Sequence, residues 1–195
     1  MLNVAEICTA TEALGSGIRA VVWVQGCPFH CRGCLAPDWI PDRPAQQMSP
    51  HELAAALLSD SRVTGLTFSG GEPMAQAAEL AATARVVRAV KEVTLICFTG
   101  FRLEELTDRP AAAELLAEVD VLIDGRYVAA RNDDRGLRGS ANQRVHHLTD
   151  RLRGFDFTGA PRRAELHVND RDVLLVGVPP SGLTAAWSTI GRGGM

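Results

Sequence analysis

Three cysteines within eight residues form the part of this sequence best suited to bind a metal. Cys27, Cys31 and Cys34 follow one another at spacings of four and three residues. Three thiolates so spaced can wrap one face of an iron–sulfur cube and leave its fourth iron without a protein ligand. A cluster that only transfers electrons is normally closed by four cysteines, whereas an open iron can bind a chelating small molecule. The spacing therefore predicts a [4Fe-4S] cluster that takes part in chemistry.

Zinc is the alternative metal for this segment. A structural zinc site needs four ligands, so His30 or the distant Cys8 would have to complete the set. His30 is adjacent to Cys31 and is therefore poorly placed for the same tetrahedron. Cys8 and Cys97 stand alone in apolar surroundings, and we interpret them as small buried residues on strands. The odd total of five cysteines argues against a disulfide scaffold.

A second motif, Thr-Phe-Ser-Gly-Gly-Glu-Pro at residues 67–73, lies between a predicted strand and a predicted helix. Two adjacent glycines let the backbone approach a ligand closely, and a chain turning from strand into helix can present its amides and carbonyls to a zwitterion. Taken alone, Gly-Gly is also a common turn. The motif gains weight because it occurs in the same chain as the cysteine segment.

The elements that must position these motifs alternate along the chain. Short apolar runs rich in β-branched residues predict four buried strands, at residues 21–25, 63–68, 93–98 and 119–124. Three helices separate them: one opened by a capping box at residues 49–52 and running to Leu58, one at residues 75–90, and one over parts of 103–118 with a break near Pro110. In the second helix, four residues are predicted to face the sheet: Leu80, Ala84, Val87 and Val90.

The β-α-β-α order predicts parallel strands joined by right-handed crossovers. Residues 164–168 and 172–178, separated by Asn-Asp-Arg at 169–171, predict an antiparallel hairpin, and the glycine-rich residues 188–195 are predicted to fray. We therefore expect an α/β fold, a partial (βα) barrel with mostly parallel strands and a C-terminal β-hairpin. Residues 1–195 are interpreted as a single domain.

Composition supports one compact domain, since 46% of the 195 residues are hydrophobic and 22% are charged. The net charge of −3 gives the molecule no bias towards nucleic acid or acidic lipid. No apolar run approaches the roughly 20 residues of a membrane span, and the N-terminus lacks the blocks of a secretion signal. We expect a cytoplasmic protein that binds neither membrane nor nucleic acid.

The spacing Cys-x3-Cys-x2-Cys and the Gly-Gly-Glu-Pro segment resemble the radical S-adenosylmethionine superfamily. The resemblance implies a [4Fe-4S] cluster held by Cys27, Cys31 and Cys34. It further implies that S-adenosylmethionine is held through its amino group by residues 69–72, which are Ser69, Gly70, Gly71 and Glu72. Phe29 is expected to pack over the cluster as an apolar lid.

In that superfamily the strand ends line the pocket, which implies roles for three further residues. Thr99 is expected either to hydrogen-bond the cosubstrate or to serve as a cap or turn. Asp124 and Arg126 are expected to contact the ribose, the carboxylate or the substrate.

Further stretches resemble activases of glycyl-radical enzymes, and in particular those of anaerobic ribonucleotide reductase. They are the lead-in at residues 15–27, the Asp-Gly strand end at 120–127 and the Arg-Gly-Ser-x-Asn-Gln-Arg element at 138–144. The resemblance covers residues 14–148. Ser16 replaces a proline of the lead-in, Leu35-Ala36 replaces a His-Asn pair, and residues 154–195 extend beyond the shortest activases.

The resemblance implies a complete reaction. The reduced cluster gives an electron to S-adenosylmethionine, and the resulting 5′-deoxyadenosyl radical abstracts hydrogen from a glycine of a large partner enzyme. Flavodoxin or ferredoxin is the implied electron donor. Two alternatives stay open: a radical enzyme that modifies a peptide or small metabolite, and an iron–sulfur electron-transfer module without turnover.

Residues 125–153 carry seven arginines against three aspartates, on a chain that is acidic as a whole. The stretch is interpreted either as a solvated loop or as a docking surface with anion contacts around the pocket. On the docking hypothesis, replacing Arg138 and Arg144 by alanine weakens partner activation and spares cluster assembly.

Overall fold

The computed structural model describes residues 1–168 and 173–183, which form two sheets. The first sheet contains β1 (Leu2–Thr11), β2 (Arg19–Val24), β3 (Gln46–Met48), β4 (Gly65–Gly70), β5 (Thr94–Thr99), β6 (Val121–Asp124) and β7 (Arg144–His147). Their order across the sheet is β3-β1-β2-β4-β5-β6-β7. The second sheet is an antiparallel pair of β8 (Ala164–Val168) and β9 (Val173–Gly177).

The centre of the first sheet is parallel, because β2, β4, β5 and β6 pair in that order and direction. These are the four strands that the apolar runs predicted, and each begins within two residues of its predicted start. Strands β1, β3 and β7 were not predicted, and they extend the sheet by antiparallel pairing at its two sides. The α/β class and the C-terminal hairpin are confirmed. The predicted turn at 169–171 and the predicted fraying at 188–195 lie outside the described residues.

Three helices connect the strands: α1 (Pro50–Leu57), α2 (Ala77–Val90) and α3 (Pro110–Leu116). The predicted capping box opens α1, since Ser49 N donates to Glu52 Oε2 at 2.7 Å and Glu52 N donates to Ser49 Oγ at 3.3 Å. Pro110 was predicted to break a helix and instead begins one, because a proline at the first helical position has no required N–H bond to lose. Val90 was predicted to face the sheet, but it ends α2 and is 75% exposed.

The sheet has an apolar core on each face, because alternate side chains of each strand point to opposite sides. Val22 packs on the side of the three helices, in the larger core. Val21 and Trp23 point to the other side, here called the inner face, where Ile96 and Ile123 join them. The inner face is covered by later parts of the chain, through residues that include Leu137, Phe157 and Val176. No helix within the described ranges is long and apolar enough to span a membrane.

A fully buried arginine joins the amino ends of the central strands. Arg19 begins β2 and has 0% exposure. Its Nε donates to Thr67 Oγ1 of β4 at 2.7 Å, and its Nη1 donates to Thr94 Oγ1 of β5 at 3.0 Å. Burial lowers the pKa of Arg19 to about 9, although the charge of Asp120 opposes the change. This network fixes the end of the sheet opposite the cysteine segment.

Candidate metal and cosubstrate site

The carboxyl ends of the parallel strands meet at one edge of the sheet, and the loops that follow them enclose a cavity of about 460 Å³. Residues that line it come from the cysteine segment, the glycine motif, the end of β5 and the turn after β6. Of the residues predicted to form the site, nine line this cavity: Cys27, Phe29, Cys31, Cys34, Ser69, Gly70, Gly71, Glu72 and Thr99. Loops at the carboxyl ends of parallel strands are the usual place for ligands in α/β proteins.

The cysteine segment leaves β2 and is held by the chain that follows it. Gly26 N donates to Trp39 O at 2.9 Å, and Cys27 N donates to Ile40 O at 3.0 Å. The loop turns at His30, whose φ of 44° lies in the left-handed region and whose side chain is exposed. The segment therefore closes on its own C-terminal continuation and presents its thiols to the cavity.

All three cysteines of the segment are free thiols of intermediate burial. Burial raises the pKa of Cys27 and of Cys34, while a backbone N–H hydrogen bond at each sulfur partly offsets the rise. A bound metal would reverse this balance, since its charge stabilises the thiolate. In the part of the chain that the structure describes, no three His, Cys, Asp or Glu side chains converge on one point as ligands of a single ion. In a cubane each cysteine binds a different iron, so convergence on one point is not required.

Cys8 and Cys97, predicted to be buried on strands, have 5% and 0% exposure and lie in β1 and β5. They are absent from the residues that line the cavity. Burial raises the pKa of both thiols. Substitution of Cys8 or Cys97 can therefore serve as a control for substitution of the three cysteines that line the cavity.

The two glycines of the motif let the cysteine segment pack directly on the end of β4. Gly70 has a φ of +105°, a conformation that side chains disfavour. A Cβ on Gly71 would lie 2.1 Å from Gly26 O, so only glycine fits there. Gly71 N donates to Val24 O at 2.7 Å, and Glu72 N donates to Gly26 O at 2.8 Å. The motif and the cysteine segment are thus one hydrogen-bonded unit.

Glu72 lies beneath the cavity with only 1% exposure. Its Oε1 accepts hydrogen bonds from Thr99 Oγ1 at 2.7 Å and from Met74 N at 2.9 Å, and its Oε2 accepts from Gly100 N at 2.8 Å. Burial raises the pKa of Glu72 to about 7, against the lowering effect of these three donors. The side chain therefore joins β4 to β5, and the Thr99 hydroxyl, which also accepts from Phe101 N at 3.1 Å, belongs to the same turn.

Phe29 packs the cysteine loop against the turn that follows β5. Its ring meets Phe101 edge to face at 4.6 Å between centroids, and the guanidinium carbon of Arg126 lies 4.6 Å from its centroid. A Cβ on Gly100 would lie 2.4 Å from Phe29 Cδ2, so this glycine leaves room for the ring. Arg126 is exposed and is absent from the residues that line the cavity, and its guanidinium lies over the Phe29 ring.

Asp124, expected to contact a ligand, is absent from the residues that line the cavity. The side chain has 0% exposure, and Arg144 Nε donates to its Oδ1 at 2.9 Å. Leu103 N donates to Oδ2 at 2.7 Å. Burial raises the pKa of Asp124, but these hydrogen bonds outweigh burial and bring the pKa below its ordinary value. The carboxylate holds β7 and the chain after β5 against β6.

Two arginines of the 125–153 stretch are bound inside the chain. Arg144 also bridges to Glu104, with Nη1 2.8 Å from Oε1. Arg138 pairs with Asp133 at 3.1 Å. Replacing Arg138 and Arg144 would therefore remove internal contacts, so the double substitution does not test docking alone.

The cavity also contains residues that the sequence did not single out as site residues. Tyr127 and Gln143 line it beside Gly139, and a Cβ on Gly139 would lie 2.9 Å from Tyr127 Cδ2. Gln143 Nε2 donates to Gly125 O at 2.8 Å. The sequence feature that could have identified two of them is the Arg-Gly-Ser-x-Asn-Gln-Arg element, which contains Gly139 and Gln143. Trp39, which stacks on Trp23 at 5.2 Å, is a further lining residue.

The thiol-lined cavity fits an iron–sulfur site, and comparison with known proteins shows the class of protein. Residues 13–146 match the family model described as 4Fe-4S single cluster domain. The anaerobic ribonucleoside-triphosphate reductase-activating protein of Vibrio cholerae serotype O1 is 37% identical over 147 residues, which cover 69% of this chain and 91% of that protein. The protein of that name from Enterobacteria phage T4 is 33% identical over 154 residues, which cover 76% of this chain and 96% of its own.

A shorter part of the chain is similar to a second activating enzyme. The pyruvate formate-lyase-activating enzyme of Staphylococcus aureus (strain USA300) is 34% identical over 68 residues, which cover 32% of this chain and 27% of that enzyme. The chain belongs to the 4Fe-4S single cluster family that includes the anaerobic ribonucleoside-triphosphate reductase-activating proteins. It is a radical S-adenosylmethionine enzyme, and its cofactors are a [4Fe-4S] cluster and S-adenosylmethionine.

Proposed function

We propose that this chain generates the glycyl radical of a large partner enzyme of the anaerobic ribonucleotide reductase type. One observation carries the proposal: three free cysteines and a pair of adjacent glycines line the same cavity at the carboxyl ends of the parallel strands. The relatives named as activating proteins support the choice of reaction. The parallel centre of the sheet, with helices on one side, supports the further proposal that the fold is a partial (βα) barrel.

The residues present fit the cluster. Cys27, Cys31 and Cys34 are its proposed ligands, because their thiols are free, partly exposed and directed to one cavity. Three thiolates leave one iron open for a small chelating ligand. The chain's own contribution is to fix the spacing of the thiols, through the hydrogen bonds that tie the segment to Trp39 and Ile40.

The glycine motif is the proposed site for the methionine end of S-adenosylmethionine. The N–H groups of Gly71 and Glu72 are used inside the protein. The groups proposed to meet an ammonium are therefore backbone carbonyl oxygens of Gly70 and Gly71, together with the Ser69 hydroxyl, because an ammonium donates and needs acceptors. Glu72 and Thr99 are proposed to hold this backbone in place rather than to touch the ligand.

A cluster held by Cys27, Cys31 and Cys34 would supply the one-electron chemistry needed to cleave S-adenosylmethionine and to remove a hydrogen atom from the α-carbon of the partner's glycine. The protein would orient the reacting groups and exclude water from the cavity. Phe29, Trp39 and Leu35 contribute apolar walls to the cavity. We place Arg126 over Phe29 as the residue that keeps the ring against Gly100.

The cytoplasm is the proposed compartment, and flavodoxin or ferredoxin is the proposed electron donor. Five free cysteines suit a reducing environment. The experiment reconstitutes the cluster without oxygen, adds dithionite and S-adenosylmethionine, and measures 5′-deoxyadenosine. C31A is expected to lose the product, and C97A, which removes a buried cysteine outside the cavity, is expected to keep it if folded.

The same reaction is then run with a candidate partner, a large enzyme of the anaerobic ribonucleotide reductase type. A glycyl doublet in the electron paramagnetic resonance spectrum is the expected result. Formation of 5′-deoxyadenosine without any doublet would favour an enzyme acting on a peptide or metabolite. Absence of 5′-deoxyadenosine from a fully loaded protein would favour a non-catalytic module.

A further inference from the structure

The C-terminal hairpin lies outside residues 13–146, the part of the chain that matches the family model. It is nevertheless part of the folded unit. Val176 is fully buried in the core of the inner face, together with Val21 and Ile96. On β8, Glu165 accepts hydrogen bonds from Thr11 Oγ1 and Glu12 N, both at 2.8 Å. The hairpin is therefore fixed across the face of the sheet opposite the helices.

A buried arginine ties the base of the hairpin to the cavity wall. Arg162 has a side chain with 1% exposure. Its Nη2 donates to Arg138 O at 2.7 Å and to Gly139 O at 3.2 Å, and its Nη1 donates to Pro179 O at 3.3 Å. Gly139 and Pro179 both line the cavity. The position of the hairpin is thus coupled to the wall that contains Tyr127 and Gln143.

Only one strand of the hairpin borders the cavity. Val173, Leu174 and Leu175 of β9 line it, whereas β8 contributes none of its lining residues. Successive side chains of a strand point to opposite faces. Three consecutive lining residues therefore indicate that β9 meets the cavity along its edge.

Among the residues that the structure describes, none pairs with that edge of β9. Within residues 164–168 and 173–177, β8 and β9 pair only with each other. The unpaired N–H and C=O groups of an edge strand are a template for an added extended segment. Residues 173–179 contain no ionisable side chain, so this border of the cavity offers an entering segment only apolar side chains and backbone groups.

We propose that β9 is the strand along which the glycine-bearing segment of the partner enzyme lies when it enters the cavity. The inference rests on the proposed function. The segment is extended, its backbone pairs with the edge of β9, and its glycine reaches the cavity that the cysteines line. β9 therefore contributes to the choice of the partner segment, in addition to residues 13–146, which match the family model.

The register of the hairpin supplies matched controls. Val173 on β9 is paired with Val168 on β8, and Leu175 is paired with Leu166. Paired residues lie on the same face of the hairpin and differ in that only the β9 member lines the cavity. Val168 and Leu166 are 75% and 54% exposed, so changes there are tolerated by the fold.

The experiment compares V173D and L175S with V168D and L166S in the full chain, with the cluster reconstituted. Two rates are measured for each variant: 5′-deoxyadenosine formation without partner, and growth of the glycyl doublet with partner. V173D and L175S are expected to lower the second rate by about tenfold or more, because a desolvated charge or hydroxyl opposes the entering segment. V168D and L166S, which lie outside the cavity lining, are expected to keep both rates within about twofold of wild type. V173D and L175S are expected to lower the second rate by a clearly larger factor than the first.

Equal losses on both strands, or no loss on β9, would overturn the proposal. It would also be overturned if the β9 variants lost 5′-deoxyadenosine formation by the same factor, because β9 would then contact the nucleoside. Failure of the proposed function has a separate readout, namely a wild-type protein that cleaves S-adenosylmethionine and yields no glycyl doublet.

Discussion

Thr99 at the end of β5 donates a 2.7 Å hydrogen bond to Oε1 of Glu72, at the turn that follows β4. The same carboxylate receives the N–H groups of Gly100 and Met74. A single buried side chain thus ties two neighbouring strand ends and the start of the next turn. Because the glycine motif directly precedes Glu72, this bond network sets where the motif's backbone stands relative to the cavity.

Removing the Glu72 carboxylate is expected to destabilise the protein strongly. E72A leaves three donors without their acceptor in a buried site, at a cost of roughly 3 kcal/mol or more. E72Q keeps Oε1 as an acceptor and loses the bond to Gly100 N, so its cost is expected to be smaller. Urea unfolding of the metal-free protein measures both.

E114A is the control for that comparison, since Glu114 is exposed and pairs with Arg85 at the surface. A surface pair contributes little to stability. If E72A cost no more than E114A, the positioning role of Glu72 would be wrong.

G100A is expected to displace the cysteine loop, because its Cβ would overlap the Phe29 ring. The expected result is a lower iron content after reconstitution and a lower unfolding midpoint. F29A removes the ring, so G100A should cost less in the F29A background than in wild type. This double-mutant cycle isolates the contact between the two residues.

Gly182 offers the matched glycine, since nothing lies within 4 Å of a Cβ built there. G182A is expected to leave iron content unchanged. Additive effects of G100A and F29A would contradict the proposed anchoring of the loop by Phe29.

The central strands could be predicted from the sequence because they are buried on both faces and are therefore continuously apolar. β7 could not be predicted, because three of its four residues are polar. Arg144 and His146 of that strand meet the buried Asp124, so their polarity reflects pairing rather than exposure. β3 spans only three residues, too few for a periodic pattern.

In the candidate site, too, some features could be predicted from the sequence and others could not. Motifs that are contiguous in sequence, such as the cysteine segment, could be placed because a single strand end carries them. The bond between Asp124 and Arg144 could not be predicted, because the two residues are twenty positions apart in sequence. The contribution of β9 could not be predicted, since it depends on how the hairpin crosses the inner face.

Arg19 is expected to tolerate no replacement by lysine. Its guanidinium bonds to Thr67, Thr94, Ser16 and Leu66 from three nitrogens, a geometry that a single ammonium cannot reproduce. R19K is expected to cost roughly 3 kcal/mol, because several buried acceptors lose their donor. Urea unfolding at neutral pH checks this, with R85K on the protein surface as the control. Equal midpoints for R19K and R85K would refute the claim.

The Asp124–Arg144 pair is expected to make the free energy of unfolding depend on pH in the acidic range. Asp124 has a pKa below its ordinary value of 3.8 in the folded protein, so the unfolded chain binds protons more readily than the folded one. Its stabilising contribution is complete above pH 3.8 and is lost as the pH falls through the folded-state pKa. D124N should therefore be less stable than wild type at pH 7 and should lose less stability on acidification.

Glu104 separates this effect from surface electrostatics. Arg144 lowers the pKa of Glu104 to about 2, yet that carboxylate is exposed, and its contribution should weaken as salt screens it. Unfolding curves for D124N and E104Q at several pH values, each at low and high ionic strength, test the distinction. The deficit of D124N at pH 7 should persist in high salt because Asp124 is fully buried, whereas that of E104Q should shrink. If high salt removed the stability loss of D124N as fully as that of E104Q, Asp124 would behave as a surface charge. The proposed role of its buried pair with Arg144 would then be wrong.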